Sequence, residues 1–314
     1  RTKDVREMLA TLSSTKPTGS AAGTAAHSRD EAVYDSAGEL LEKMPEDFAE
    51  EEYLVQIKNM GGLDVPLNIF LYQEIQRVQA VIERVRSTLQ NLRLAINGEV
   101  VMTEALVQVI GDLFAARVPH SWVYTVSGVE LSWIIPALGP WFNSLYRRHA
   151  QYAKWLNKGR PPTFWMTGFF NPQGFLTAMK QEVTRNHRKD HWALDDVDYH
   201  AEVTSHVNPE KVQQPPKEGV YIEGLFMEGA RWDLDTRGIA ESYPKILYAS
   251  MPVLYVSATD SKKRHHVKEP YACPCYKYRI RQDRFLIFTV PLPGGGKKAP
   301  HWILRGVALL CSTE

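Results

Sequence analysis

The stretch EGARWDLDTRG, residues 228–238, gathers Glu228, Arg231, Asp233 and Asp235 around Trp232. Such a set can be a calcium loop, an acid/base pair or the turn of a hairpin. As a calcium loop, Asp233 and Asp235 would hold the first and third positions and Gly238 the sixth. Arg237 and Pro244 then fall where oxygen ligands belong. A hairpin explains more: Asp235 begins the turn, Gly238 takes the left-handed position, and a strand runs on either side. Arg231 and Trp232 are then free to pair or stack with neighbours.

Other residues invite chemistry and lack part of what it needs. Cys273 and Cys275, in CPC, alternate onto one strand face as half a metal site, with His265 and His266 nearby. No second cysteine or histidine pair follows at zinc-finger spacing, and Pro274 marks an edge strand or bulge, so buried or edge thiols are expected. His187 and His191 stand four apart without the glutamate of a zinc-protease helix, and NHRKDH reads as a solvated helix end. PGGGKKAP, 293–300, imitates a phosphate loop, yet its first glycine is missing and Lys298 replaces the hydroxyl residue; it reads as a hairpin loop. Asp195, Asp196 and Asp198 make an acidic strip with no ligand partner in sequence. These patterns assemble no catalytic, cofactor or metal constellation.

The elements that would carry these residues divide at about residue 192. Before it, Leu71, Ile75, Val78, Ile82, Val85, Leu89, Leu92 and Ile96 repeat at alternating spacings of four and three over 66–97. That seam permits a coiled coil, but Phe70, Val81, Leu94 and Ala95 widen the apolar face and favour a long helix inside a bundle. Further helices are expected near 36–45, 99–117, 136–157 and 172–187, the last with Asn171 as cap and Pro172 at its first position. After 192, six short β-branched and aromatic stretches (193–203, 220–229, 252–258, 271–279, 285–290 and 302–311) suggest an antiparallel barrel or sandwich. The fold class is α+β: a helical bundle over 36–191, then about six strands over 192–314. Residues 1–35 hold the end of a preceding module and a flexible linker, the latter read from SSTKPTGSAAGTAAHS.

Composition narrows the classes. A polypeptide of 314 residues with 44% hydrophobic and 23% charged residues has room for about two cored domains. A net charge of +1 offers no field for nucleic acid or an acidic membrane. Three cysteines fit a reducing, intracellular compartment, and the absence of an initiator methionine suggests a piece of a longer chain. Trp122–Tyr146 is apolar, but Glu130 and two prolines interrupt it, so a buried helical hairpin is expected in place of a membrane span.

The connector PPTFWMTGFFNPQGF, 161–175, is different. Connectors are normally polar, and this one carries Phe164, Trp165, Phe169, Phe170 and Phe175. These rings must bury against the strand half or against a partner, and both uses are open.

Taken in order, several segments resemble the C-terminal region of dynein heavy chains. They are FLYQEIQRVQAVIERVRSTLQNLRLAINGEVVMTEAL (70–106), WMTGFFNPQGFLTAMKQEVTR (165–185), EGVYIEGLFMEGARWD (218–233), MPVLYVSA (251–258), YACPCYK (271–277) and HWILRGVALLC (301–311). The wording of RSTLQNLRLAINGEVVM and GRPPTFWMTGFF looks most like axonemal outer-arm, gamma-type chains. The resemblance implies a non-catalytic structural and regulatory domain whose strands form an incomplete antiparallel β-barrel. It implies packing on the AAA+ ring of the same heavy chain, with ATP and Mg²⁺ bound elsewhere in the parent. Microtubules would be reached through other parts of the parent, with intermediate and light chains in the complex, in the cytoskeleton of a ciliary or flagellar axoneme. Phe164, Trp165, Phe169, Phe170, Phe175, Arg231 and Trp232 are the candidate interdomain or ring interface. Two other classes compete: a stand-alone β-barrel module with a helical adaptor that binds a peptide or ligand, and an enzyme built from dispersed acids such as Glu228, Asp233 and Asp195.

Overall fold

A computed structural model describes residues 22–263 and 270–313. Eight α-helices are found among the described residues: α1 (Ala22–Glu42), α2 (Glu50–Asn59), α3 (Pro66–Ile96), α4 (Glu104–Phe114), α5 (His120–Val123), α6 (Leu138–Lys158), α7 (Pro172–Asn186) and α8 (Ala299–Leu304). None of them is long and apolar enough to cross a membrane. Helices dominate the first part and strands the second, although a short strand (Phe164–Trp165) precedes α7 and α8 lies among the last strands; the fold is α+β. It forms two compact units. One holds the described residues through Glu52 with Ile75–Ala150; the other holds Tyr53–Glu74 with Gln151 onward. The sequence division at 192 follows a change of secondary structure, whereas this one follows packing and cuts through α2, α3 and α6.

The α3 seam is buried as its spacing requires. Leu71, Ile75, Val78, Ile82, Val85, Leu89 and Leu92 are fully covered and the flanking Phe70, Val81 and Ala95 are buried, whereas Leu94 and Ile96, near the helix end, are only half-buried. Burial over so wide a face needs more than one neighbour, which separates a packed helix from a two-stranded seam. In the first unit the core is aromatic: Trp133 stacks on Trp141 at 4.9 Å, and Trp141 meets Phe142 edge-on at 5.3 Å. The Trp141 Nε1–H donates to buried Ser132 at 3.3 Å.

Three expectations fail here. Residues 22–28, expected within the linker, are helical; alanine has the highest helix propensity, and AAGTAA carries no proline to stop α1. The apolar 122–146 stretch is no helical hairpin. Between α5 and α6 the backbone turns at Gly128 (φ 78°) and bridges Tyr124 to Glu130. The left-handed residue breaks the helical path where periodicity showed only an apolar run. Finally, 302–311 is not one strand, since α8 takes its first part, started by Pro300 in the first turn.

The strands, all in the second unit, are β1 (Phe164–Trp165), β2 (Val197–Val203), β3 (Val220–Glu223), β4 (Phe226–Glu228), β5 (Arg231–Asp233), β6 (Gly238–Ala240), β7 (Tyr248–Ser250), β8 (Leu254–Asp260), β9 (Pro270–Tyr276), β10 (Leu286–Pro293) and β11 (Ala308–Leu310). They form a four-stranded sheet, β1-β3-β8-β2, a five-stranded sheet, β10-β9-β11-β4-β7, and the hairpin β5-β6. The expected six antiparallel strands become eleven, because several are only two or three residues long and show no alternation. Two pairs are parallel, β1 with β3 and β11 with β9. Parallel pairing needs a crossover, and α7 and α8 lie in the connections that supply them. No closed barrel forms among the described residues; Tyr199 of β2 and Phe288 of β10 approach to 6.0 Å with no ladder between the strands.

Candidate functional site

The aromatic connector joins three elements of the second unit. Phe164 and Trp165 make β1, which extends the sheet by pairing with Ile222 and Glu223. Phe169 meets Phe70 of α3 edge-on at 5.0 Å and Phe175 of α7 at 4.6 Å, while Phe164 packs on Trp155 of α6 at 4.8 Å. Phe164, Phe169, Phe170 and Phe175 are buried, and Trp165 is half-buried. Thr167 Oγ1 lies 2.5 Å from the Cys311 carbonyl and 3.2 Å from that of Gly224, tying the connector to the segment after β11 and to the β3–β4 turn.

Beneath the rings lies Glu74, a group passed over in the sequence. Its carboxylate is buried and accepts the Phe170 N–H at 2.7 Å, the Asn171 N–H at 3.0 Å and the Tyr152 hydroxyl at 2.8 Å. Asn171 in turn caps α7, accepting the Gly174 N–H at 3.0 Å. A signal existed: Glu74 stands three residues after Leu71 and four before Val78, an acid on the apolar face of a helix. Such a residue must be paired, and two of its three partners are backbone donors ninety-odd residues away, which no local pattern can name.

The opening stretch is a hairpin. β5 and β6 pair antiparallel, with Trp232 opposite Ile239. Its turn differs in detail from expectation. Asp233, not Asp235, organises it, accepting the Thr236 hydroxyl at 2.7 Å and its N–H at 3.1 Å; Arg231 Nη1 donates to the other oxygen at 2.6 Å. The Thr236 hydrogen bond, then the Arg231 bond, holds the Asp233 carboxyl at a pKa of about 2. Arg237 (φ 51°) is the left-handed residue. Gly238 is needed for close approach: a Cβ there would sit 3.2 Å from Gly295, and one on Gly295 would run into the Ile239 carbonyl. The glycines of PGGGKKAP thus let two backbones touch, and the stretch connects β10 to α8 instead of closing a hairpin. Arg231 and Trp232 are half-buried, Arg231 lying 4.5 Å over the Tyr243 ring.

Cys273 and Cys275 share the buried face of β9 with Tyr271, and Cys311 is buried beside them. Burial pushes the Cys273 thiol up to about 12. Cys275 is raised by its hydrogen bond with Cys311 and then by burial. β9 is no edge strand, having β10 on one side and β11 on the other; β11 pairs only from Cys275 onward, just past Pro274. His265 and His266 lie outside the described residues, and among the described residues no three His, Cys, Asp or Glu side chains are grouped to hold a metal ion.

His187 and His191 do not share a helix face. His187 ends α7 and is bridged by both ring nitrogens, Nδ1 to Asp190 at 2.8 Å and Nε2 to Glu218 at 3.0 Å, with Trp192 stacked at 4.1 Å. This is a structured clasp where a solvated terminus was expected. Glu228 pairs with Arg281 at 2.5 Å, Asp233 with Arg231, and Asp195 is exposed. The three acids of the enzyme reading thus have different settings, two in ion pairs with separate arginines and one at the surface.

Residues 2–311 match the family profile of the C-terminal domain of dynein heavy chains. Dynein axonemal heavy chain 5 of Mus musculus is 42% identical over 315 residues, an alignment that takes in 100% of this protein and 6% of the relative. Dynein axonemal heavy chain 8 of Homo sapiens is 44% identical over 309 residues, or 98% and 6% of the two. The dynein gamma chain of the flagellar outer arm of Chlamydomonas reinhardtii is 40% identical over 316 residues, or 100% and 7%. The protein thus spans less than a tenth of the length of these relatives.

Proposed function

Because the protein belongs to the family of C-terminal domains of dynein heavy chains, we propose that it is the non-catalytic, regulatory end of an axonemal outer-arm heavy chain. It packs on the AAA+ ring of the same heavy chain and tunes the mechanics of an ATP-driven microtubule motor. ATP and Mg²⁺ are bound elsewhere in the parent, which also carries the microtubule contacts and assembles with intermediate and light chains in a cilium or flagellum. The strand region is read as the open, incomplete barrel of such a domain.

The observation that carries the reading is where the reactive side chains go. Asp233 and Glu228 are held in ion pairs, and the thiols of Cys273 and Cys275 are buried and raised in pKa. These groups serve the fold, and the reading takes contact as the domain's means of action. Among the candidate interface residues, the buried phenylalanines form an internal junction, while Trp165, Arg231 and Trp232 keep exposed surface for the ring.

A docked domain biases a motor only by the difference in its contact free energy between ring states. A difference of ~1–3 kcal/mol changes their ratio by about 5- to 150-fold without touching the chemical step. Removing residues 192–314 from the full motor is expected to change force, run length or coupling while ATP hydrolysis persists. Single-molecule force and stepping records beside bulk ATPase provide the test, with ring assembly checked by imaging. A truncated motor that assembles and performs like the intact one would leave the domain no regulatory part.

A further inference from the structure

The backbone leaves α3 through Asn97 and Gly98, the one place in the 314 residues where asparagine is followed by glycine. The exit is a Schellman cap. Gly98 takes the left-handed position at φ 77°, and its N–H donates to the Ala95 carbonyl at 3.1 Å. The Glu99 N–H donates to the Leu94 carbonyl at 2.9 Å.

This cap is chemically open. Asn97 and Gly98 are exposed, and a Cβ added at Gly98 would meet nothing within 4 Å. Val101, a little further on, is 83% exposed, so the connection to α4 does not cover the site. The Asn97 carboxamide is held by long bonds: Nδ2 lies 3.5 Å from the Tyr34 hydroxyl of α1 and 3.3 Å from Glu99 Oε1. The glycine has no side chain to shield its nitrogen, and the last turn of a helix opens at little cost. Asn59 supplies the contrast. It too is exposed and ends a helix, α2, but Met60 follows it and crowds the nitrogen.

We propose that Asn97 is a site of spontaneous covalent modification, at which the amide becomes aspartate and isoaspartate. When the cap opens, the Gly98 nitrogen attacks Cγ of Asn97. The new N–C bond closes a five-membered imide, the Cγ–Nδ2 bond breaks, and Nδ2 leaves as ammonia with the proton of the Gly98 nitrogen. Solvent water then opens the ring. Attack at Cγ restores the ordinary backbone with aspartate. Attack at the main-chain carbonyl leaves the backbone running through the side chain as isoaspartate, one methylene longer.

Either product sets a carboxylate beside Glu99 at the negative end of the helix, where like charge and helix dipole both oppose it. Arg93, one turn back and 4.2 Å over the Tyr34 ring, offsets part of that charge in the aspartate form. Isoaspartate does more. The added methylene moves Gly98 and Glu99 away from the carbonyls of Ala95 and Leu94, so the cap is lost, and with it the tie from α3 to Tyr34. The site thus makes the junction of α1 and α3 loosen as the molecule ages.

The test incubates the full-length heavy chain in mildly alkaline buffer, native and in urea. Mass spectrometry follows the peptides that carry 97 and 59, and an isoaspartate-specific carboxyl methyltransferase with a labelled methyl donor scores the isomer. In the native protein Asn97 should convert to both products while Asn59 stays an amide. Native conversion should run about 5- to 30-fold slower than conversion in urea, as the opening of one frayed turn requires. Asn97→Gln, which does not close a five-membered ring, should remove the methyl-acceptor signal from its peptide. A native Asn97 that stays an amide while the urea sample converts would overturn the proposal, because the cap would then never open to the reaction. Equal conversion at Asn59 would overturn the part given to Gly98. Aspartate without isoaspartate would overturn the imide route.

Discussion

Glu74 Oε2 accepts the N–H of Phe170 at 2.7 Å, across 96 positions of sequence and from a residue only 1% exposed. That bond fixes the aromatic connector to α3. Because the Asn171 N–H and the Tyr152 hydroxyl converge on the same carboxylate, its removal takes an acceptor from three donors. Glu74→Ala is expected to cost about 3–5 kcal/mol, and Glu74→Gln, which keeps one acceptor oxygen, about 1–2 kcal/mol. Urea unfolding measures both. Equal losses for the two variants would mean that one retained acceptor oxygen is worth nothing and that the whole carboxylate is needed to hold the three donors.

The rings should separate by burial. Phe169 is 1% exposed between Phe70 and Phe175, so Phe169→Ala is expected to lose about 3–5 kcal/mol. Trp232 lies half-buried on the hairpin, and Trp232→Ala should lose less despite the larger ring. The same unfolding series decides it; an undiminished stability in the Phe169→Ala variant would show that the connector is not a junction.

Gly224 has φ 81°, and a Cβ there would fall 2.5 Å from Cδ1 of Trp165. Gly224→Ala therefore combines left-handed strain with a clash against the connector, about 2–4 kcal/mol together. Gly296, also left-handed at φ 81° but with no atom within 4 Å of the added Cβ, should show the strain alone, about 1–2 kcal/mol. Comparing the two alanine variants by thermal unfolding isolates the Trp165 contact.

His187 makes stability depend on pH. Its hydrogen bonds, first with Asp190 and then with Glu218, raise its folded pKa above the usual imidazole value. The charged form is therefore favoured by the fold. Its contribution is fully present below about pH 6.5, where the unfolded state is protonated too, and is lost as pH rises through the folded pKa. His187→Phe retains a ring to stack on Trp192 and removes the titration. The stability gap between the natural protein and this variant should narrow from about pH 5.5 to about pH 8, while a gap independent of pH would falsify the assignment.

Some of this molecule was legible along the sequence. The α3 seam declared a buried helix, since a helical period forces one face inward wherever the partner lies. Asn171 and Pro172 marked the start of α7, because capping is settled within the first turn. The hairpin at 228–240 and the burial of Cys273 and Cys275 were likewise local matters of turn chemistry and alternation. What no local pattern held were relationships closed through space. The strand pairs of β1 with β3 and β11 with β9, the Glu74 anchor and the Gly238–Gly295 approach each join residues that share no period or turn. Even the left-handed residue of the hairpin turn is Arg237 and not Gly238, which instead packs against the loop after β10. Hydrophobicity and period dictate most of the apolar burial without reference to any distant residue. What lies opposite depends on the fold, because a buried polar group or a bare backbone accepts any geometrically suitable partner and the path of the backbone alone brings one there.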